Sequence, residues 1–236
     1  MDHLVCFLPG SIAIGATEGR TEAEARKLPS WNAQKEEQMK LARELMKTCW
    51  AMYAVTESGL SPEIAWFEAD PSDLQPNPGL RPMPRSSNDL NSWKKDFIIK
   101  PLDAHNLQRP ETVESLFLMF RVTNDPIYRR WGWEIFKAFQ KHTIVAGEEG
   151  YTSLNDVTKV PPSQRDNMES FWLVRTRIFI SIHFLRTWFY FADVHSNEGR
   201  NLEVLVPSLL SHGVHSAHGG CFQHGGPCAT SFQNNQ

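Results

Sequence analysis

Apolar side chains recur at helical spacing between residues 34 and 57, and this pattern predicts the longest helix of the chain. Lysine and glutamate fill the positions between them, so one face of the helix is apolar and the other is charged. We assign the apolar face to the core rather than to a cofactor site, and Gly59 stands where a helix-ending glycine is expected. The face comprises Met39, Leu41, Ala42, Leu45, Met46, Cys49, Met52 and Tyr53.

Two further apolar runs, residues 107–123 and 126–143, predict an antiparallel pair of helices. Residues 124–126 (Asn-Asp-Pro) separate them and offer a cap and a proline for the start of the second helix. Residues 11–25 predict one helix with turns, and a helix is expected to resume around Asn167. The chain is therefore predicted to be mainly α-helical.

The segments between these helices predict loops and one short sheet. Five prolines in residues 70–96 exclude a long helix or a central strand there. Residues 97–99 predict a short strand that could pair with residues 64–67, giving a small β-hairpin. Residues 151–165 are polar, contain two adjacent prolines and predict a further loop.

Composition and charge limit the class of protein. The chain has 236 residues, enough for one ordinary domain, and 41% of them are hydrophobic. Its formal net charge of −3 gives no basic surface of the kind that nucleic acid requires, so we expect no nucleic-acid partner. Residues 1–10 lack the basic start of a signal peptide. Residues 172–192 are long enough to span a membrane, but Arg175, Arg177 and Arg186 would each cost about 2.5–3.5 kcal/mol there, so no span is expected.

Histidine and cysteine cluster in the loop-like part of the chain that follows Ser196. Such side chains can bind zinc, but their spacing matches no standard zinc motif. Glycine and serine separate most of them, so we predict a disordered tail without a metal site. The side chains concerned are His212, His215, His218, Cys221, His224 and Cys228.

The segment Arg109-Pro110-Glu111-Thr112-Val113-Glu114-Ser115 concentrates charge in front of an apolar run. Pro110 suits the first turn of a helix, so Glu111 and Glu114 would share one face near its positive end. Two carboxylates and an arginine in that position form either a surface capping arrangement or the acidic floor of a polar-ligand site. The spacing alone favours the capping arrangement, because acidic first turns are common in helices.

Six segments, read together, change that interpretation. They occur in the order residues 1–10 (MDHLVCFLPG), 59–64 (GLSPEI), 109–115 (RPETVES), 131–135 (WGWEI), 151–157 (YTSLNDV) and 165–171 (RDNMESF). In this order they resemble the C-terminal part of the catalytic domain of class I α-1,2-mannosidases, glycoside hydrolase family 47. The resemblance covers about residues 1–173.

The resemblance implies a fold, an activity and a cofactor. Residues 1–173 would form part of an (α/α)-barrel of concentric helix pairs, and residues 174–236 would be a divergent tail. The activity would be removal of terminal α-1,2-linked mannose from high-mannose N-glycans, with inversion, in the lumen of the endoplasmic reticulum or Golgi. A calcium ion at the base of the barrel would contact the sugar hydroxyls.

The resemblance also assigns roles to residues. Glu111 would be the base that activates the attacking water, and Glu63 another active-site acid. An inverting glycosidase needs an acid and a base with carboxyls ~6.5–9.5 Å apart. Burial and neighbouring negative charge would raise the pKa of such acids, while Arg109 could hold one of them ionised. The sugar subsite would be lined by His3, Arg109, Glu114, Glu169 and Phe171, with Phe171 as the platform under the ring.

Cys6 and Cys49 match the two cysteines that form the disulfide of the family. Their pairing would imply an oxidising compartment. The alternative is two reduced, buried cysteines.

Two departures from the family pattern limit the expected activity. The chain begins inside the first segment, so the upstream part that carries the general acid in the family is expected to be missing. The match stops after Leu173: Arg175 stands where the family has a glutamate, and residues 174–236 lack the threonine motif that binds calcium. We therefore expect a weak or inactive piece of a mannosidase, truncated at both ends. The alternative is a non-catalytic mannose-glycan-binding or inert fragment.

Overall fold

The fold is that of a computed structural model, which describes residues 1–67, 92–147, 150–176 and 179. The described part is mostly helical, as the sequence predicts, and its helices share one apolar core. The helices are α1 (Leu8–Thr17), α2 (Glu22–Ala25), α3 (Ala33–Ala54), α4 (Glu111–Thr123) and α5 (Ile127–His142), and the strands are β1 (Trp66–Phe67) and β2 (Phe97–Ile98). Short 3-10 turns span His3–Phe7, Ser92–Asp96 and Pro101–Asp103, and a π-helical turn spans Trp172–Thr176.

Helix α3 confirms the predicted long helix and supplies much of the core. Asn32 caps its start, because its side chain accepts a hydrogen bond from the Lys35 N–H over 3.1 Å. The apolar face of the helix is buried, with Met39, Met46 and Met52 fully removed from solvent.

The expectation that Gly59 ends helix α3 is wrong, because the helix ends five residues earlier, at Ala54. Gly59 instead has a left-handed backbone, with φ at 72°, in the turn that follows. A Cβ added at Gly59 would lie 3.3 Å from the Ala138 side chain, so α5 passes close to this turn.

Helix α1 begins at Leu8, three residues before the predicted start, with Pro9 in its first turn. It packs closely on α4: the Gly10 N–H donates to the Ser115 Oγ over 3.1 Å, and that hydroxyl donates to the carbonyl of Cys6 over 2.5 Å. A Cβ added at Gly10 would approach Leu118 to 2.8 Å. The N-terminal residues are therefore fixed against the helix that carries Glu111.

Helices α4 and α5 confirm the predicted pair, although α4 begins at Glu111 rather than at residue 107. Asn124 adopts a left-handed backbone with φ at 58° and ends α4. Asp125 then accepts a hydrogen bond from the Ile127 N–H over 2.9 Å, which opens α5. The pair buries Leu116, Met119, Ile135, Phe136 and Phe139.

Strands β1 and β2 confirm the predicted hairpin pairing. They are antiparallel, with Trp66 opposite Ile98 and Phe67 opposite Phe97. Most of the proline-rich segment between them lies outside the described residues, and its last residues form the 3-10 turn Ser92–Asp96.

Residues 151–165 form the predicted loop, held by isolated β-bridges between Leu154 and both Asn106 and Gln164. Helical structure resumes at Ser170 and continues in the π-helical turn. Trp172 is buried there, with ring centroids 5.0 Å from Phe139 and 4.8 Å from Tyr151.

Within the described ranges, no helix is both long and apolar enough to cross a membrane. Most of the apolar segment 172–192 lies outside those ranges, as does the tail with its histidines and cysteines. The domain boundary expected at residue 173 and the disorder expected beyond it therefore stay predictions.

Candidate active site

Glu111 opens helix α4 and contacts a buried histidine from the N-terminal segment. The Nδ1 of His3 lies 3.1 Å from the Glu111 Oε2. The other ring nitrogen, Nε2, lies 2.8 Å from the Tyr53 hydroxyl and 3.2 Å from the Thr112 hydroxyl. The side chain of His3 is only 3% exposed, so these protein groups, rather than solvent, determine its hydrogen bonds.

These contacts fix the direction of the hydrogen bonds. An ionised carboxylate only accepts, so the proton on His3 Nδ1 is donated to Glu111. In the neutral ring Nε2 then accepts, and the Tyr53 hydroxyl is the nearer donor. Burial raises the pKa of Tyr53 above its ordinary range, against the opposing hydrogen bond with Thr112, so the hydroxyl keeps its proton.

The pKa of Glu111 corrects the expectation that acids of this site titrate high. Burial does raise the pKa of Glu111, but the hydrogen bonds from His3 and from the glutamate's own N–H act in the opposite direction. The positive charge of Arg109 adds to them, as does that of His3 when its ring is protonated, and the net pKa lies below the ordinary glutamate value. Glu111 is therefore an ionised, partly buried carboxylate at neutral pH.

Arg109 binds Glu63, the second of the two predicted catalytic residues. Its Nε donates to the Glu63 Oε1 over 2.5 Å. The backbone of Glu63 is held from both sides: its carbonyl accepts from the His3 N–H and its N–H donates to the Asp103 carbonyl, each over 2.9 Å. Contacts thus run in a continuous chain from Arg109 through Glu63 and His3 to Glu111.

Phe171, the predicted sugar platform, lies beside this group. The Arg109 guanidinium carbon is 5.7 Å from the centroid of the Phe171 ring, within the range of a cation–π contact. Phe171 is half-buried and directly precedes the π-helical turn Trp172–Thr176. The structure therefore brings Phe171 together with Arg109 and, through it, with Glu63.

Glu114 is bound by a residue from the opposite end of the described chain. The Arg175 Nη2 donates to the Glu114 Oε2 over 2.7 Å. The carboxylate side chain is 13% exposed, whereas the arginine side chain is 48% exposed. The arginine that departs from the family pattern is therefore a direct partner of a predicted subsite residue.

Glu169 is less closely connected to the other predicted residues. Its carboxylate accepts a hydrogen bond from the Asn167 side chain over 2.9 Å, within its own loop. Its carbonyl accepts from the Trp172 N–H over 3.0 Å, at the start of the π-helical turn. The contacts of Glu169 thus shape the turn that carries Phe171.

Cys6 and Cys49 form a disulfide, with Cα atoms 5.7 Å apart. The bond joins the first 3-10 turn to α3, so it fixes the segment that carries His3 to the helix that carries Tyr53. The alternative of two reduced cysteines is therefore wrong.

Sequence reasoning misses the partners of His3. The helical pattern places Tyr53 in the apolar core, which is correct for its ring, but its hydroxyl reaches the site. A buried tyrosine needs a polar partner for its hydroxyl, and that requirement is the one signal in the sequence. Thr112 and the pairing of Arg175 with Glu114 carry no such signal.

The residues around Glu111 do not fit a calcium ion. Calcium takes six to eight oxygen ligands, usually with several carboxylates among them. In the described part of the chain, no three His, Cys, Asp or Glu side chains are grouped so that they could hold a metal. Glu63, Glu111 and Glu114 are instead bound by Arg109, His3 and Arg175.

The comparisons with known proteins agree on one family. The family model described as glycosyl hydrolase family 47 matches residues 1–177. A mannosyl-oligosaccharide 1,2-alpha-mannosidase of Arabidopsis thaliana is 50% identical over 78% of the chain and 28% of its own length. An endoplasmic reticulum mannosyl-oligosaccharide 1,2-alpha-mannosidase of Homo sapiens is 44% identical over 78% of the chain and 22% of its own length.

A solved structure agrees with the sequence relatives. An alpha-1,2-mannosidase from Trichoderma reesei matches with a TM-score of 0.57 and 25% identity, over 78% of this chain and 33% of that one. The chain thus spans about a third or less of the length of these relatives. What it matches is one part of a larger protein.

Proposed function

The chain belongs to glycosyl hydrolase family 47, and we propose that its described residues form the base-bearing and sugar-binding part of an α-1,2-mannosidase active site. The substrate would be terminal α-1,2-linked mannose on high-mannose N-glycans, cleaved with inversion. The carboxylate of Glu111 bound by His3, together with the contact between Arg109 and Phe171, is the observation that carries the proposal.

Glu111 suits the role of the base. A base must be ionised at the working pH, and the lowered pKa of Glu111 meets that requirement. Its carboxylate is partly buried, so few waters compete for it, and His3 fixes the position of one oxygen. The carboxylate would accept a proton from a water that attacks the sugar.

The sugar would lie against Phe171. An aromatic ring offers an apolar surface to the face of a hexose, and Arg109 beside it offers N–H donors for hydroxyls. His3, Glu114 and Glu169 complete the proposed subsite. The helices of the chain would form one part of an (α/α)-barrel, with the remaining helix pairs outside the chain.

The described residues are less suited to the acid step. A general acid must carry a proton, but arginine donates to both Glu63 and Glu114, so their oxygens serve as acceptors. The pKa of Glu111 is lowered rather than raised. Loss of the acid removes a factor of ~10²–10⁴ in rate, so we propose that this chain cleaves its substrate slowly or not at all.

The contacts of arginine with Glu63 and Glu114 favour a second function, which is mannose binding without cleavage. The same contacts that occupy the carboxylates leave the Phe171 platform and the arginine donors in place. Some relatives carry the endoplasmic reticulum in their names, so the compartment proposed for either function is the secretory pathway. The disulfide between Cys6 and Cys49 agrees with an oxidising compartment.

The test is calorimetric titration of the purified chain with the disaccharide mannose-α-1,2-mannose, with release of free mannose followed in the same samples. We expect saturable binding with little or no release. Phe171→Ala should weaken binding about tenfold or more, because it removes the platform under the ring.

Glucose-α-1,2-glucose serves as the matched control sugar and should bind more weakly. Binding that is equal for the two disaccharides, or absent for both, would refute the mannose site. Rapid release of mannose would refute the proposal that the described carboxylates do not serve as the acid.

A further inference from the structure

The ion pair between Arg175 and Glu114 gives the candidate site a cation of its own. The guanidinium contacts the carboxylate directly, at 2.7 Å, and the carboxylate is partly buried. A partly buried carboxylate is stabilised by a positive partner and by charge-assisted hydrogen bonds, and arginine supplies both. A metal ion would have to displace Arg175 or bind beside its positive charge.

The other carboxylates of the site leave no better place for a metal. Arg109 already binds Glu63, and His3 already binds Glu111. Each of these contacts places a donor N–H on an oxygen that a metal would need. Among the described side chains no alternative group of three ligands exists.

Arg175 also has donors to spare. Like Arg109 on Glu63, Arg175 carries five N–H groups in a planar fork, and its described contact with Glu114 uses one nitrogen. The side chain is 48% exposed, so its remaining N–H groups can reach a ligand from solvent. Neighbouring hydroxyls of a hexose are acceptors with a spacing that such a fork can bridge.

We propose that Arg175 is the resident cation of this site: it holds Glu114, excludes Ca²⁺ and donates to the hydroxyls of a bound hexose. The donation to a sugar rests on the proposed function, whereas the exclusion of Ca²⁺ does not. Sugar binding by this chain is therefore independent of Ca²⁺.

The first arm of the test is titration of the full chain with CaCl₂, followed by calorimetry and by thermal unfolding. A ligand that binds the folded state raises the unfolding temperature by mass action, so the two readouts check each other. We expect no binding by the wild type up to ~1 mM Ca²⁺. Arg175→Glu should bind Ca²⁺ with a Kd on the order of 1 mM or lower, since it replaces a cation with a further carboxylate.

Two further variants serve as controls for the charge at position 175. Arg175→Lys keeps the positive charge and should bind no Ca²⁺, whereas Arg175→Gln removes the charge and should gain weak binding. Circular dichroism checks that all three are folded, which the half-exposed position favours. The exclusion of Ca²⁺ would be overturned if the wild type bound Ca²⁺, or if neither Arg175→Glu nor Arg175→Gln bound it.

The second arm uses methyl α-mannoside, with EDTA or with CaCl₂ present. The wild type should bind it with the same Kd in both solutions, and Arg175→Gln should bind about tenfold more weakly, as expected for one lost charge-assisted hydrogen bond. A Kd that falls when Ca²⁺ is added would overturn the proposal. No mannoside binding at all, together with the expected result for CaCl₂, would refute the proposed function and the sugar contact but leave the exclusion of Ca²⁺ standing.

Discussion

Glu111 and Glu114 stand three residues apart at the start of the same helix, yet two different regions of the molecule control them. The N-terminal wall, which comprises residues 1–10 and Tyr53, binds Glu111 through the buried His3. The C-terminal rim, which comprises residues 169–176, binds Glu114 through the half-exposed Arg175.

The two regions differ in how they are fixed. A disulfide, backbone hydrogen bonds and close packing of Gly10 on α4 hold the N-terminal wall. The buried Trp172 and a hydrogen bond from the Thr176 hydroxyl to the Gln108 carbonyl hold the rim, but the side chain of Arg175 is half exposed. Two carboxylates of one helical turn thus have different partners, in regions that are fixed by different contacts.

The largest expected effect comes from breaking the disulfide of the N-terminal wall. Cys6 and Cys49 are separated by 43 residues, and a cross-link across a loop of that length stabilises the folded state by about 4 kcal/mol if it acts through chain entropy. The double variant Cys6→Ser with Cys49→Ser should therefore lower the free energy of unfolding by about that amount. Urea unfolding followed by circular dichroism measures it.

The control for this experiment is the reducing agent. Dithiothreitol should destabilise the wild type to the level of the double variant and leave the double variant unchanged. If dithiothreitol lowered the free energy of unfolding equally in both proteins, or in neither, the disulfide would not stabilise the wall.

A smaller effect is expected where the wall packs on α4. Gly10→Ala would place a Cβ 2.8 Å from the Leu118 side chain and 3.1 Å from the backbone of Ser115, so that side chain must move and the two helices must separate by a few tenths of an ångström. We expect a loss of about 1–3 kcal/mol, the usual cost of overpacking. Gly15→Ala is the matched control on the same helix, because nothing lies within 4 Å of its new Cβ.

The control should behave in the opposite way. Alanine is the better helix former, so Gly15→Ala should stabilise the chain by up to about 1 kcal/mol. Equal unfolding midpoints for the two variants would contradict the close contact between α1 and α4.

The pH dependence of stability tests the environment of Glu111. The pKa of Glu111 is lowered on folding, so the unfolded chain takes up this proton first as the pH falls. The stabilisation by the Glu111 charge is therefore complete above the ordinary glutamate pKa of about 4.3 and is lost as the pH falls through the lower folded value.

The measurement is urea unfolding of the wild type and of Glu111→Gln between pH 7 and about pH 3. The difference in the free energy of unfolding should stay constant down to about pH 5 and shrink below it. A difference that grows as the pH falls would mean that folding raises the pKa of Glu111 instead of lowering it.

The smallest effect is expected at the C-terminal rim. Arg175→Met breaks the pair with Glu114, but half-exposed ion pairs contribute little because water and salt screen them. We expect the free energy of unfolding to fall by less than about 1 kcal/mol. A loss as large as that of the disulfide variant would show that the rim is as firmly fixed as the wall.

The helices follow from local patterns in the sequence, whereas the contacts within the site do not. Helical spacing of apolar residues predicts α3, α4 and α5, because a helix that buries one face has apolar residues on that face in consecutive turns. The start of α1 at Leu8 is earlier than the predicted residue 11, because Pro9 suits a first helical turn and does not interrupt the helix.

Prediction of the site from the sequence is limited in the same way. Charged and family-matched residues such as Glu63, Arg109 and Glu111 stand out in the sequence. Their partners do not, because Tyr53 and Thr112 meet His3 across separations of 50 and 109 residues. The raised pKa expected for the acids is wrong for Glu111 for that reason, since the donor that lowers it comes from the distant N-terminus.

The N-terminal wall should hold Glu111 as an ionised base, and the pKa of its side-chain carboxyl tests this most directly. The pKa can be measured by carbon-13 NMR of the glutamate-labelled chain, with Glu111→Gln used to assign the signal. We predict a pKa below the ordinary value of about 4.3 in the wild type, and a higher value in His3→Phe, where burial acts without the hydrogen bond from His3. A wild-type pKa at or above the ordinary value, or one that His3→Phe leaves unchanged, would contradict this role of the wall.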